Sequence, residues 1–290
     1  MFKEAVYNYD YTECLEIGYF RNYKGEIQIE KFPETVKKVP KVLPKQITSL
    51  SGAFDENLNA EIDGIQHWNT SNVTDMSHMF SEAIKFNENL SNWNTSNVRD
   101  MSGMFFEAKS FNQDISNWDT SNVTDMSSMF YYAERFNKPI GNWNVSKVIN
   151  MHNMFYYAER FNQDLSKWNV SNVTDMSSMF YYAENFNQPI GNWDTSNVTD
   201  MSFMFSGVEN FNQDISMWNT SNVISEYNQN IGYTNSNWKP EYKPKFKKQK
   251  INWEKIIFFL FLFIVNFVLL YFAVYIGFVV AKKFILLSRK

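Results

Sequence analysis

Residues 111–133 read FNQDISNWDTSNVTDMSSMFYYA, with apolar positions at Phe111, Ile115, Trp118, Val123, Met126, Met129, Phe130 and Ala133. The last four fall at i, i+3, i+4 and i+7, the stripe of an amphipathic helix. Asp125, with Thr124 before it, is placed to cap that helix by accepting a first-turn N–H. Phe111, Ile115 and Trp118 also fit helical spacing, but the equivalent segments FNKPIGNW and FNQPIGNW carry Pro139, Gly141, Pro189 and Gly191. Inside a helix proline costs about 3 kcal/mol and glycine about 1 kcal/mol, so this half is predicted to be extended. The TSN between Trp118 and Val123 suits a tight turn, because Ser and Asn side chains bond nearby backbone groups.

The whole pattern recurs. Trp68, Trp93, Trp118, Trp143, Trp168, Trp193 and Trp218 stand 25 residues apart without a slip. A period of this size marks units that stack, each covering the apolar flank of its neighbour because one alone buries too little. The expected fold is an α/β repeat solenoid, with a short strand, a turn and a short helix per 25-residue coil. Its Trp, Met and Phe side chains should form ladders.

The array frays at both ends. ITSLSGAF, from Ile47 to Phe54, aligns with VTDMSHMF and reads as a degenerate first coil with one inserted residue. Before it, TECLEIGYF and GEIQIEKF flank RNYK, a hairpin suited to covering the open end. At the other end NVISEYNQNIGYTNSNW keeps Val223 but loses the Met-Phe stripe, as a polar terminal coil should. The division that follows is a cap at 1–46, the repeats at 47–238, a basic linker at 239–255, an apolar run at 256–281 and a short basic tail at 282–290.

The run from Ile256 to Ala281 is uncharged, and Asn266 is its one strongly polar side chain. Roughly 20 apolar residues cross a bilayer as a helix, so a C-terminal transmembrane helix and a single-pass cell-membrane protein are expected. Seven lysines lie between Lys239 and Lys255, which by the positive-inside tendency favours a cytoplasmic repeat body. MFKEAVYNYDYTECLEIGYF has no apolar core of the kind a signal peptide needs.

Charge changes the picture of partners. The formal net charge is −4, yet residues 1–238 alone carry −13 and the remainder is strongly basic. Phosphate affinity comes from Lys and Arg, so an acidic body makes a poor nucleic-acid binder and no nucleic-acid partner is expected. One cysteine, Cys14, excludes a disulfide framework. His67, His78 and His152 have no ligand spacing. Asp114, Asp164 and Asp214 recur beside Asn and Gln, where turn hydrogen bonding outweighs a calcium ladder. NTS and NVT match the glycosylation sequon, but they fall where the turn itself needs Asn and Ser. No catalytic constellation is visible, so no enzyme activity, cofactor or metal is expected.

One feature goes beyond packing. With Met126, Met129, Phe130 and Ala133 inward, a helix would aim Tyr131 and Tyr132 roughly 150° and 110° away. Tyr156, Tyr157, Tyr181 and Tyr182 repeat the pair, and Arg135 and Arg160 accompany them. Tyr and Arg are favoured at protein-binding hot spots, so these eight residues form a candidate binding surface. The competing reading is that the rings only stack on one another and shield the coils.

The motif FNQDISNWDTSNVTDMSSMF resembles the 25-residue repeats of the BspA-like leucine-rich-repeat surface proteins, in the form abundant in mycoplasmas. ITSLSGAF resembles the treponemal variant of that repeat. The resemblance covers roughly residues 12–235 and implies a leucine-rich-repeat-like coil and a membrane- or lipid-anchored surface protein. It also implies a non-enzymatic role in adhesion or protein–protein interaction, with protein ligands on a host or cell surface and the repeat body outside the cell. Two alternatives stay open: an intracellular membrane-tethered scaffold, and an expendable antigenic coat.

Overall fold

The computed structural model describes residues 2–223, 230–232 and 234–246. The chain divides into two compact units, Met1–Lys247 and Lys248–Lys290, and the second lies outside the described residues.

The first unit begins with two small antiparallel sheets. Strands β1 (Phe2–Lys3), β4 (Tyr19–Arg21) and β5 (Ile27–Ile29) form one in the order β1-β4-β5; β2 (Val6–Tyr7) and β3 (Cys14–Glu16) form the other. The β4–β5 hairpin closes over a turn in which Gly25, at φ +85°, donates its N–H to the Asn22 carbonyl.

From there the chain winds into stacked coils joined by isolated parallel bridges rather than continuous strands. One track runs Gln28, Ser49, Asp75, Asp100, Asp125, Asn150, Asp175, Asp200, and a shorter one joins Glu13, Lys38 and Asp63. The expected α/β solenoid is not what forms. Among the described residues there is no α-helix; 3-10 turns lie at Ile65–His67 and Pro240–Tyr242, and the segments predicted as helices are runs of tight turns. The bridged residue also differs from expectation: it is the aspartate at the start of the supposed helix. The segment predicted as a strand, 111–118, joins no sheet.

The reason lies in where the N–H groups go. Met126, Ser128, Phe130 and Tyr132 donate to the carbonyls of Asn150, His152, Met154 and Tyr156 in the next coil, at 2.7–3.1 Å. The residues between them, Met129, Tyr131 and Ala133, donate to the third residue back in their own coil. An α-helix needs every N–H for its own i−4 carbonyl, so alternate donation to a neighbour forbids it. The alternation also bends the backbone into the left-handed region at Ser128 (φ 56°) and Tyr132 (φ 52°), and the same pair of slots is left-handed in the neighbouring coils. The 3, 4, 7 spacing survives because each turn still points Met126, Met129, Phe130 and Ala133 inward, where all four are fully buried.

The core is a set of side-chain columns. Phe80, Phe105, Phe130, Phe155, Phe180 and Phe205 stack at 5.5–5.8 Å, and each lies 3.8–4.1 Å from the Phe that begins the following segment. The tryptophans also align, with Trp118–Trp143 at 6.4 Å and Trp193–Trp218 at 6.0 Å. Each indole N–H donates to a carbonyl 28 residues back, as Trp143 does to Ile115 at 3.1 Å. Polar ladders run alongside: Asn112, Asn137, Asn162, Asn187 and Asn212 each donate their backbone N–H to the side-chain oxygen of the Asn before.

Residues 230–246 end the stack. Trp238 meets Phe205 and Phe211 edge-on, at 71° and 79°, which breaks the face-to-face columns. The Tyr242 carbonyl accepts from the Ile215 N–H and that of Lys245 from the Thr220 hydroxyl. The first residues of the supposed linker are therefore packed against the last coil. Among the described residues no helix is long and apolar enough to cross a membrane. That overturns the transmembrane helix as part of the described fold, and with it the single-pass membrane assignment. The Ile256–Ala281 run that carried both lies outside the described residues.

Candidate functional site

The six tyrosines come together as two neighbouring columns. Tyr131, Tyr156 and Tyr181 stack at 4.6 Å with interplanar angles of 8–9°. Tyr132, Tyr157 and Tyr182 stack at 4.5 and 4.7 Å, within 5° of parallel. The columns touch obliquely, Tyr131 meeting Tyr132 at 5.0 Å and 52°. The six rings are half-buried, so they do not project freely as a helix would have presented them. Their faces are spent on one another, and edges and hydroxyls remain to meet solvent. Burial pushes the Tyr131, Tyr156 and Tyr157 phenols above their usual value, with neighbouring tyrosines adding to the effect. They stay neutral donors and acceptors. Arg135 and Arg160 are exposed, and their side chains make no hydrogen bond or ion pair to either column among the described residues.

Local backbone explains the geometry. Tyr132, Tyr157 and Tyr182 all occupy the left-handed slot at φ 52–53°, a conformation that costs a non-glycine residue about 1 kcal/mol or more. Gly207 fills the same slot one coil later and packs directly against the Tyr182 ring. Three large rings thus stand where glycine would relieve the strain.

Sequence reasoning missed what precedes the tyrosines in each column. Phe106 heads the first, stacked on Tyr131 at 4.4 Å and 2°. Glu56, Glu82 and Glu107 precede Tyr132 in the second, all left-handed. The signal was present: Phe106 and Glu107 stand 25 residues before Tyr131 and Tyr132. Two lysines of the chain are already held nearby. Lys31 bridges Asp55 and Glu56 at 2.8 Å each, and Lys109 pairs with Glu134 at 2.9 Å, 5.7 Å from the Tyr132 ring centre.

The other singled-out residues serve the coils. Asp114, Asp164 and Asp214 each accept the N–H of the serine two residues on. No group of three or more His, Cys, Asp or Glu among the described residues is arranged to hold a metal. In the NVT motifs the amides of Asn72, Asn122, Asn172 and Asn197 donate to carbonyls of the preceding coil, so the turn uses the nitrogen a glycan would take. Buried Cys14 has its thiol pushed up to about 11 by burial, away from the reactive thiolate.

No curated protein and no solved structure matches the chain. One family model does, over residues 48–168 and 139–239: Mycoplasma protein of unknown function, DUF285. Those matches take in every coil that carries the tyrosines. The chain belongs to the DUF285 family of Mycoplasma proteins of unknown function.

Proposed function

We propose that this protein is a non-enzymatic binding module whose paired tyrosine columns engage a protein ligand. The observation that carries the reading is the pair of stacked columns, Tyr132, Tyr157 and Tyr182 beside Tyr131, Tyr156 and Tyr181, on the surface of three successive coils. Core packing needs none of them, since the buried Phe and Met columns complete the interior without them. Aromatic area kept at a surface position that packing does not require points to use of that surface. Tyrosine suits the task because it offers contact area with few rotatable bonds and a hydroxyl for hydrogen bonding. The likeness of the repeat to that of BspA-like leucine-rich-repeat surface proteins supports the same reading, since those are taken to engage other proteins.

The test replaces Tyr131, Tyr156 and Tyr181 with Ser in the full chain and compares binding to an array of extended peptides. Circular dichroism confirms folding of both proteins. Peptides bound by the native chain should be lost in the variant. An identical binding pattern from a folded variant would sink the proposal.

A further inference from the structure

A cleft of about 300 Å³ opens at the head of the first aromatic column, lined by Asp55, His78, Ser81, Glu82 and Phe106. Its position follows from the ladder. Tyr131 covers one face of Phe106. In the coil before, the same slot holds Ser81, too small to cover the other. The column therefore ends in a ring whose outer face borders a cavity instead of another ring.

Two of the polar walls, Asp55 and Glu82, are carboxylates, beside His78 and Ser81. Glu82 and Glu107, stacked in adjacent coils, form no ion pair among the described residues, and Glu82 is exposed. The Glu82 carboxyl lies above its usual value, through loss of solvation and then through the charges of Glu107, Asp55 and Glu56. Asp55 at the far wall is engaged on one side by Lys31. An aromatic face beside carboxylates attracts a cation, since ring quadrupole and negative charge act together. The same surface already holds ammonium groups, Lys31 between the Asp55 and Glu56 carboxylates, and Lys109 between Glu134 and the Tyr132 ring.

We propose that this cleft is a receptor for a lysine or arginine side chain of a protein ligand. The methylene stem lies on the outer face of Phe106, the charged head reaches Glu82 and Asp55, and the following residues run along the tyrosine columns. The inference rests on the binding reading above and specifies the ligand chemistry. Charge complementarity favours it on a larger scale too, since residues 1–238 carry a net charge of −13.

Two variants of the full chain separate the pocket from diffuse attraction. Ser81→Tyr continues the column and fills the cleft, and the coils that follow show that an aromatic ring fits this slot. Glu82→Gln removes one wall charge at the same size. A control, Glu4→Gln with Glu34→Gln and Glu61→Gln, removes exposed charges elsewhere. Fluorescence anisotropy follows three labelled twelve-residue peptides with alternating Ser and either Lys, Gln or Glu.

The lysine peptide should bind best, and Ser81→Tyr and Glu82→Gln should each weaken it by about fivefold or more, the scale of one cation–ring contact. The control should change it little. Equal binding of the lysine peptide to native chain and both pocket variants overturns the receptor, even if salt abolishes it. So does binding of the Gln or Glu peptide in preference to Lys that is lost in the variant with Tyr131, Tyr156 and Tyr181 replaced by Ser, although the protein-binding reading then stands. If no peptide depends on the tyrosines, both fall.

Discussion

The rings of Tyr132 and Tyr157 lie 4.5 Å apart and 4° from parallel, and both residues hold φ near +52°. Two opposing terms meet there. The left-handed backbone favours glycine by about 1 kcal/mol, while each stacked contact contributes about 0.5–1.5 kcal/mol. Tyr157 has two such contacts, the second with Tyr182 at 4.7 Å. Tyr157→Ala keeps the strain and loses both, so it should destabilise by about 2 kcal/mol in urea unfolding. Tyr157→Gly also relieves the backbone and should cost about 1 kcal/mol less than the alanine variant. Glycine as harmful as alanine would mean that the ring, not the backbone, sets the cost.

Aspartates of the turns and Asp100 of the bridged track shift in opposite directions. Hydrogen bonds from the serine two residues on lower Asp114, Asp119, Asp164, Asp194 and Asp214, so their contribution is present at neutral pH and lost as pH falls through the folded values. Burial raises Asp100, and the Asp75 and Asp125 carboxylates in adjacent coils add to it. An acid with a raised folded value holds its proton more tightly when folded. Stability from Asp100 therefore falls as pH climbs from 3.8 through that raised value. Asp100→Asn should stabilise the protein at pH 7 by about 0.5 kcal/mol and less at pH 4. Asn150 occupies the same slot and accepts the equivalent N–H, from His152. Thermal melts at both pH values decide it, and equal destabilisation at each would refute the assignment.

The indole of Trp143 donates to the Ile115 carbonyl at 3.1 Å, and that oxygen also accepts the Trp118 backbone N–H at 3.2 Å. Trp143→Phe removes one of two bonds to that oxygen and leaves it partnered. The expected cost is about 1 kcal/mol for the bond and roughly as much again for lost packing against Trp118. A cost above about 5 kcal/mol would show that register between coils depends on the indole.

The 25-residue period, the turn at TSN and the inward set of Phe111, Ile115, Trp118, Val123, Met126, Met129, Phe130 and Ala133 could all be read from the residues, and all eight are buried. The sequence predicts a helix that does not form, for a physical reason. Inward pointing at i, i+3, i+4 and i+7 is met equally by a helix and by turns that give alternate N–H groups to the next coil. Apolar spacing records which side chains are inside and says nothing of where the N–H groups go. The left-handed slot carried a hint, since Gly103 and Gly207 occupy left-handed positions, but Ser128 and Tyr132 do so without a glycine to mark them. The tyrosine columns were legible as a recurrence. The cleft was not, because it arises from an absence, a small Ser81 where the next four coils have a ring.

Gly141 tests how tightly the coils are matched. Its backbone needs no positive φ, and Ser116 and Ser166 fill the slot in the adjoining coils, so the sequence alone suggests that a side chain is tolerated. The geometry says otherwise. A Cβ at Gly141 would overlap the Asp164 carbonyl oxygen in the next coil, and one at Gly191 would overlap that of Asp214. These are backbone atoms, with no rotamer by which to move aside. Gly141→Ala should therefore destabilise by about 1–3 kcal/mol, the usual range for overpacking. Gly25→Ala, with open space but φ +85°, should cost only the backbone strain, about 1 kcal/mol. Urea unfolding of the two variants beside the native chain gives the comparison. A neutral Gly141→Ala would show that the coils at this point separate freely, contrary to a stack fixed by its backbone hydrogen bonds.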